Sequence, residues 1–513
     1  MSRPDEDAPA PSLWELTGRR PEDLALEDAR HRLTWSELEE RTNAVGHGVE
    51  AMGLSPGDHV AVVVGNRTEF VEVVLGVQRA GMVVTPLKTS WTPAEIAVVL
   101  DDARSKLVVT DVDAARRAAA DAGIRLLDVD GFDGWIDAQD HGPLPAGRRG
   151  WRMSYTSGTT GRPKGVVHAW SGQSPFWEAF TRSTGWAEAA QLPGDGAHLM
   201  ASQLFHGAPL TFGLAALARG APMRIMPRWD PSDFLRGLGD GVASTTLVPT
   251  MFRHLLALRD AQKTAADTSA LRTVLHGGEP CPPDLKRRMV DWWGPVFVEY
   301  FGFSEGGMTL ASTEDWQARP GTVGRALPHQ EILVLDADGG RLPAGAEGLV
   351  YFRFLDGSRF TYFGDPAKTE AAYGPDGAFT AGDIGWLDED GYLYISGRRA
   401  EVIVTAGVNV YPAEIEAVVD SVDGVSDVGV VGGPDPERGE QVVAFVVPAT
   451  GTVGDDVVVA VEIACNERLA GYKRPRRIVL CDEVPRDPTG KLLRTRLREG
   501  LWKGRSGFAA SGS

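Results

Sequence analysis

Residues 154–165 read SYTSGTTGRPKG. Hydroxyls, glycines and one lysine are concentrated there, a composition suited to anionic oxygens. Backbone N–H groups and hydroxyls converge on phosphate only where no bulky side chain holds them off. The segment therefore predicts a phosphate-wrapping loop. It is not a Walker A loop, which needs Ser or Thr after its lysine; here Lys164 is followed by Gly165.

Other chemistry-bearing segments follow at intervals. They are HGGEP at 276–280, FGFSE at 301–305, AGD at 381–383, GRRAEVIVTAGVNVYPAEIE at 397–416 and PRDPTGKLLR at 485–494. Together they supply carboxylates (Glu279, Glu305, Asp383), cations (Arg398, Lys491), an aromatic face (Phe301) and glycines that permit close approach. The three cysteines, Cys281, Cys465 and Cys481, are far apart without metal-type spacing, and read as reduced thiols in a reducing compartment.

These residues need elements to position them. From 20 to 110, short β-rich runs (VAVVV, MVVTPL, KLVVT) alternate with helical patterns (LTWSELEERTNAVGHGVEAMG, PAEIAVVLDDA), which predicts parallel α/β architecture. A similar alternation follows the Gly/Thr-rich loop. From about 320 to 396, EILVLDADGG, EGLVYFRF and GYLYISGR read as antiparallel strands with Gly/Asp turns. Beyond GRRAE, a helix, strands, another helix and the basic stretch YKRPRR form a second unit. The fold class is thus α/β. A large domain over 1–396 combines parallel α/β layers with a small antiparallel, barrel-like part, and a small mobile α+β domain occupies 397–513.

Lys plus Arg number 52 against 70 Asp plus Glu, a formal net charge of −18. That balance argues against non-specific binding to nucleic acid or to an anionic membrane. No apolar run approaches the about 18 residues of a membrane span. The acidic, Pro-rich MSRPDEDAPAPS does not read as a secretory leader. A cytoplasmic protein is expected, with a homodimer left open.

Taken together, the motifs resemble the adenylate-forming superfamily of acyl-CoA synthetases, luciferases and peptide-synthetase adenylation domains. They stand in that family's order, and the resemblance runs from about residue 12 to about 500. It implies ATP, Mg²⁺ and, as co-substrate, CoA. Thr156, Ser157, Thr159 and Thr160 would donate to the β- and γ-phosphates, Gly158 and Gly161 would allow close approach, and Lys164 would add charge. Phe301 would stack on adenine beside Gly302 and Ser304, and Glu305 would bind Mg²⁺, an ion that usually takes one or two carboxylates. Gly277, Gly278 and Glu279 would line the adenine pocket, while Asp383 and Arg398 would hold the ribose. The family more often has Tyr and Thr at the positions of Phe301 and Ser304, and Ser or Thr at Ala381.

The resemblance further implies two half-reactions. A carboxylic acid and ATP give an acyl-adenylate and pyrophosphate, and a thiol then displaces AMP. Lys491 would stabilise the charge developing in the first step. The small domain would then rotate about a hinge after Gly397–Arg398, withdrawing Lys491 and bringing the loop around Gly407 to line the thiol tunnel. The hinge residue, often Asp or Lys in the family, is Ala400 here.

The segments QLFHGAPLTFGLAALARG and VPTMFRHLL most resemble a branch of bacterial fatty-acyl and bile-acid CoA ligases. His206 would stand as a gate near the carboxylate. Leu204, Phe205, Ala208, Phe303 and Gly307 would line the acid pocket. They carry no charge, so a hydrophobic aliphatic or aromatic acid is expected. Acceptors other than CoA on this chassis include a carrier protein and an amine, and a few relatives activate nitrite. A nucleotide-binding protein without catalysis is the reading from another class; Glu305, Asp383, Arg398 and Lys491 speak against it.

Overall fold

The computed structural model describes residues 7–156, 163–405, 408–486, 490 and 492–502. Two sheets dominate the first part of the chain. In one, Arg125–Asp128, Ser105–Thr110, His59–Val63, Val83–Pro86 and Trp151–Arg152 lie side by side, all parallel. In the other, Leu24–Glu27, Met223–Ile225, Ala197–Met200, Val242–Leu247, Thr273–Gly277 and Phe297–Gly302 are parallel, and antiparallel strands finish both edges. Helices cover them, so runs such as VAVV are apolar throughout: Val60, Ala61, Val62 and Val63 are all fully buried. The predicted helices fall at Trp35–Ala51 and Pro93–Asp102. Each begins with a capping box, Thr34 with Glu37 and Thr92 with Glu95, which satisfies the first free N–H groups.

The antiparallel part is two sheets on one core. Gln330–Leu335, Gly348–Phe354, Asp383–Leu387 and Leu393–Arg398 form the first. Phe360–Tyr362, Lys164–His168 and Ser154–Thr156 form the second. Val166, Phe352, Phe354, Phe360, Phe379 and Leu393 pack between them, joined by Phe301 and Phe303. One aromatic core therefore ties the Gly/Thr-rich hairpin to FGFSE and to the AGD strand.

Sheet membership changes across a short turn, Arg399–Glu401, which carries Ala400. Leu393–Arg398 belongs to the sheet just described, whereas Ile403–Thr405 pairs in the small C-terminal domain with Val408–Val410 and Gly439–Pro448. Helices Pro412–Asp420 and Gly454–Arg468 pack on that sheet through Ile415, Val419, Val457 and Val461. Among the described residues no helix is long and apolar enough to cross a membrane.

Candidate active site

The hairpin that carries the loop is in register: Ser154 faces Val166, Tyr155 faces Gly165 and Thr156 faces Lys164. Five residues of the loop's predicted set (Ser157, Gly158, Thr159, Thr160 and Gly161) lie outside the described residues, as do Gly407 and Lys491. The flanks are defined. Lys164 Nζ stands 4.4 Å from the centre of the Tyr362 ring. The Tyr362 hydroxyl donates to Glu305 Oε1 at 2.9 Å. Tyr362 thus links the foot of the loop to the FGFSE carboxylate, and burial beside Glu305 raises its phenol.

Phe301 ends the parallel strand Phe297–Gly302 and packs on Phe303 and Phe352, with ring centres 6.5 and 6.4 Å away. Gly302 leads into the Ser304–Gly306 turn. Both glycines of the neighbouring HGGEP segment are required. A Cβ on Gly277 would collide with the Tyr300 carbonyl oxygen, and Gly278 has φ of +82°. Asp383 and Arg398 face each other across an antiparallel pair, with Arg398 Nε donating to Asp383 Oδ1 at 3.2 Å. Only 4% of Asp383 is exposed.

Glu279 behaves differently from the sequence expectation of an adenine-lining residue. Its carboxylate accepts from Thr250 N at 2.5 Å and Thr250 Oγ1 at 3.0 Å, and lies 3.5 Å from Arg486 Nη1. Burial pushes this acid up, against the pull of the Thr250 N–H, Arg253 and Arg486. Arg486 also makes a two-pronged pair with Asp427 at 2.9 and 2.6 Å and donates to the Gly490 carbonyl at 2.7 Å. Gly490, with φ of +89°, sits so close to the large domain that a Cβ there would lie 2.8 Å from Thr250 Oγ1 and 3.3 Å from Glu279 Oε1. A second clamp joins the domains where Arg253 Nε and Nη2 donate to the Asp420 carboxylate at 3.1 and 3.2 Å. Arg486 and Gly490 are thereby seated against the HGGEP loop.

His206 caps the N-terminus of helix Gly207–Ala218 and packs on Phe205, ring centres 4.4 Å apart. The five pocket candidates border several apolar clusters. Leu204 and Phe205 belong to the central core, Ala208 borders a cluster with Phe212 and Tyr300, and Phe303 joins the aromatic core, touching the site of Gly307.

Sequence reasoning missed Arg152, Tyr362, Thr250 and Arg486. Arg152, at the end of Trp151–Arg152, sends Nη2 to Thr211 Oγ1 at 2.7 Å. Burial lowers its guanidinium to about 10, and no carboxylate among the described residues offsets that. Beside it, burial lowers His168 to about 4; a backbone contact with Ser304 opposes this and the charge of Arg152 adds to it.

The chain matches the AMP-binding enzyme family over residues 13–354 and the AMP-binding enzyme C-terminal domain over 414–491. It is 31% identical over 482 residues to the long-chain-fatty-acid–CoA ligase FadD13 of Mycobacterium tuberculosis, covering 91% of this chain and 93% of the relative. It is 32% identical over 498 residues to a feruloyl-CoA synthase of Amycolatopsis, covering 94% and 98%. ATP-bound MatB from Rhodopseudomonas palustris has a similar structure, with a TM-score of 0.84 at 29% identity over 97% of this chain and 99% of that one.

Proposed function

The chain belongs to the AMP-binding enzyme family, and we propose from that premise that it is an AMP-forming acid–CoA ligase. The observation that carries the reading is the convergence of separate segments on one aromatic core. The hairpin foot, Glu305 and the Asp383–Arg398 pair all lie on elements packed on it, and Gly490 of the small domain sits against Thr250 and Glu279 of the large one.

In the first half-reaction a carboxylate oxygen attacks the α-phosphorus of ATP. The new P–O bond forms as the bond to the β-phosphate oxygen breaks, and pyrophosphate leaves. The hydroxyls and Lys164 would hold the leaving group, Phe301 the adenine and Asp383 the ribose. His206, at the head of a helix whose first N–H groups are free, would border the incoming carboxylate. Lys491 would neutralise charge where two anions meet. In the second half-reaction the thiolate of CoA attacks the acyl carbon, the C–S bond forms, and AMP departs with the electrons of the broken C–O bond.

Glu305 fits a magnesium ion. Tyr362 takes one carboxylate oxygen, no cation pairs with the acid among the described residues, and the group is half-exposed beside the phosphate hairpin. When bound, Mg²⁺ would neutralise phosphate charge. Tyr362 fixes the orientation of that ligand, and outer contacts of this kind matter to affinity about 10-fold or more. Tyr362→Phe is therefore expected to raise the Mg²⁺ concentration for half-maximal pyrophosphate release about tenfold, with little change in thermal stability.

The net charge and the widely spaced cysteines support a cytoplasmic location; a homodimer would be compatible with the same reading. The decisive experiment is pyrophosphate release across a panel of acids with and without CoA. Release that turns over repeatedly only when CoA is present supports the ligase. Release that stops near one turnover whether or not CoA is added would show a different acceptor, such as an amine, and would overturn the CoA assignment.

A further inference from the structure

Arg152 has no role in the chemistry above, yet it stands beside it. Continuing the hairpin register (Thr156 opposite Lys164, Ser154 opposite Val166) places Arg152 opposite His168. Side chains two apart share a face of a strand, so Arg152 lies on the same face as Thr156 and Lys164. That face looks toward the FGFSE turn: a Cβ on Gly306 would lie 3.2 Å from His168 Cε1.

On the other side, Arg152 reaches the first turn of helix Gly207–Ala218. Its partner Thr211 donates back to the Gly207 carbonyl at 2.7 Å, so the guanidinium is held one turn below the His206 cap. The space beneath the helix is already filled. Phe212 and Tyr300 are 0% and 6% exposed, their ring centres 5.3 Å apart. An acid bound at the head of this helix would meet aromatic side chains beneath it and the Arg152 cation on the hairpin side.

A cation in such a place is costly without an anion. A hydroxyl satisfies one N–H but neutralises nothing, and uncompensated buried charge is unfavourable. Arg152 keeps some accessible surface even though protein surrounds it closely, as a group at the bottom of a cleft does. Its planar fork matches a carboxylate with two parallel hydrogen bonds.

We infer that Arg152 reads a second anionic group on the acid, and that the preferred substrate is a short carboxylic acid carrying another carboxylate or an equivalent anionic oxygen group. This rests on the acid-activation reading and names the substrate class for that site.

Matched acids test it: butyrate against succinate, hexanoate against adipate, benzoate against phthalate. The wild-type protein should show the higher kcat/KM for the doubly charged member of at least one pair. Arg152→Ala should lower the ratio of dianion to monoacid about a hundredfold, the loss expected when one partner of a buried charged pair is removed. Arg152→Lys, which keeps the charge without the fork, should fall between them, so a misfolded alanine variant does not decide the matter. A wild-type preference for the monoacid in every pair overturns the inference and leaves adenylation standing. So does a variant that raises KM for ATP and leaves the acid ratio alone, because the guanidinium then serves the nucleotide. Absence of release with every acid, in a wild-type protein that binds ATP, would sink the activation reading and the inference together.

Discussion

Lys491→Ala is expected to cut acid- and ATP-dependent pyrophosphate release by about 10³-fold while sparing thioester formation from a supplied acyl-adenylate. The carboxylate and the α-phosphate are both anionic, and the transition state gathers more negative charge on the phosphoryl oxygens. A preorganised donor removed from such a centre typically costs about 10²–10³-fold. An ammonium that also offsets repulsion between the two reactants belongs at the upper end. Gly490, the residue before it, is seated against Thr250 and Glu279 of the large domain, next to the HGGEP segment. The measurement is a pair of rates, pyrophosphate release and AMP release from the adenylate. Equal losses in both would show a general structural role, and an unchanged first rate would end the proposed mechanism.

Asp383→Ala should be the other severe lesion, read as a rise in KM for ATP. The carboxylate is almost completely buried, and Gly382, with φ of +84°, donates its N–H to Thr380 Oγ1 at 2.9 Å to fix the approach to it. Arg398 donates to one carboxylate oxygen, and the ribose hydroxyls would donate to the same carboxylate when ATP binds. Hydrogen bonds to a charged acceptor contribute about 1.5–3 kcal/mol each. Two such bonds correspond to a loss of about 10²–10⁴ in kcat/KM for ATP. Asp383→Asn keeps the shape and one acceptor, and should lose less. A normal KM for ATP in both variants would remove Asp383 from the site.

Much of this was legible because each motif combines a turn with a reactive group. AGD and FGFSE state both the bend and the carboxylate in a few residues. The alternation of VAVVV-type runs with capped amphipathic helices made the parallel sheets readable, since strands buried on both faces have little freedom in composition. What escaped reading depends on which surfaces meet in space. Tyr362 lies far from Glu305 in the chain and carries no local mark of a partner. Arg486 looks like one more basic residue in PRDPTGK until Asp427, Glu279 and the Gly490 carbonyl converge on it. Arg152 sits inside WRM, where a strand next to a phosphate loop gives no hint of Thr211. Apolarity alone marks burial, as at Leu204 and Phe205, and does not say which buried side chains would face an acid.

The contacts that seat the Lys491 segment have a kinetic side. Arg253 with Asp420, and Arg486 with Glu279, hold the small domain against the large one. If the same domain must swing away before the thiol can attack, every gain in the depth of this resting position is a gain in the barrier to leaving it. Turnover then follows a peaked curve in docking strength. Too weak a clamp starves the first half-reaction, and too strong a clamp stalls the second. Better interfacial charge pairing, so often a route to a sturdier protein, would here yield a more stable and slower enzyme.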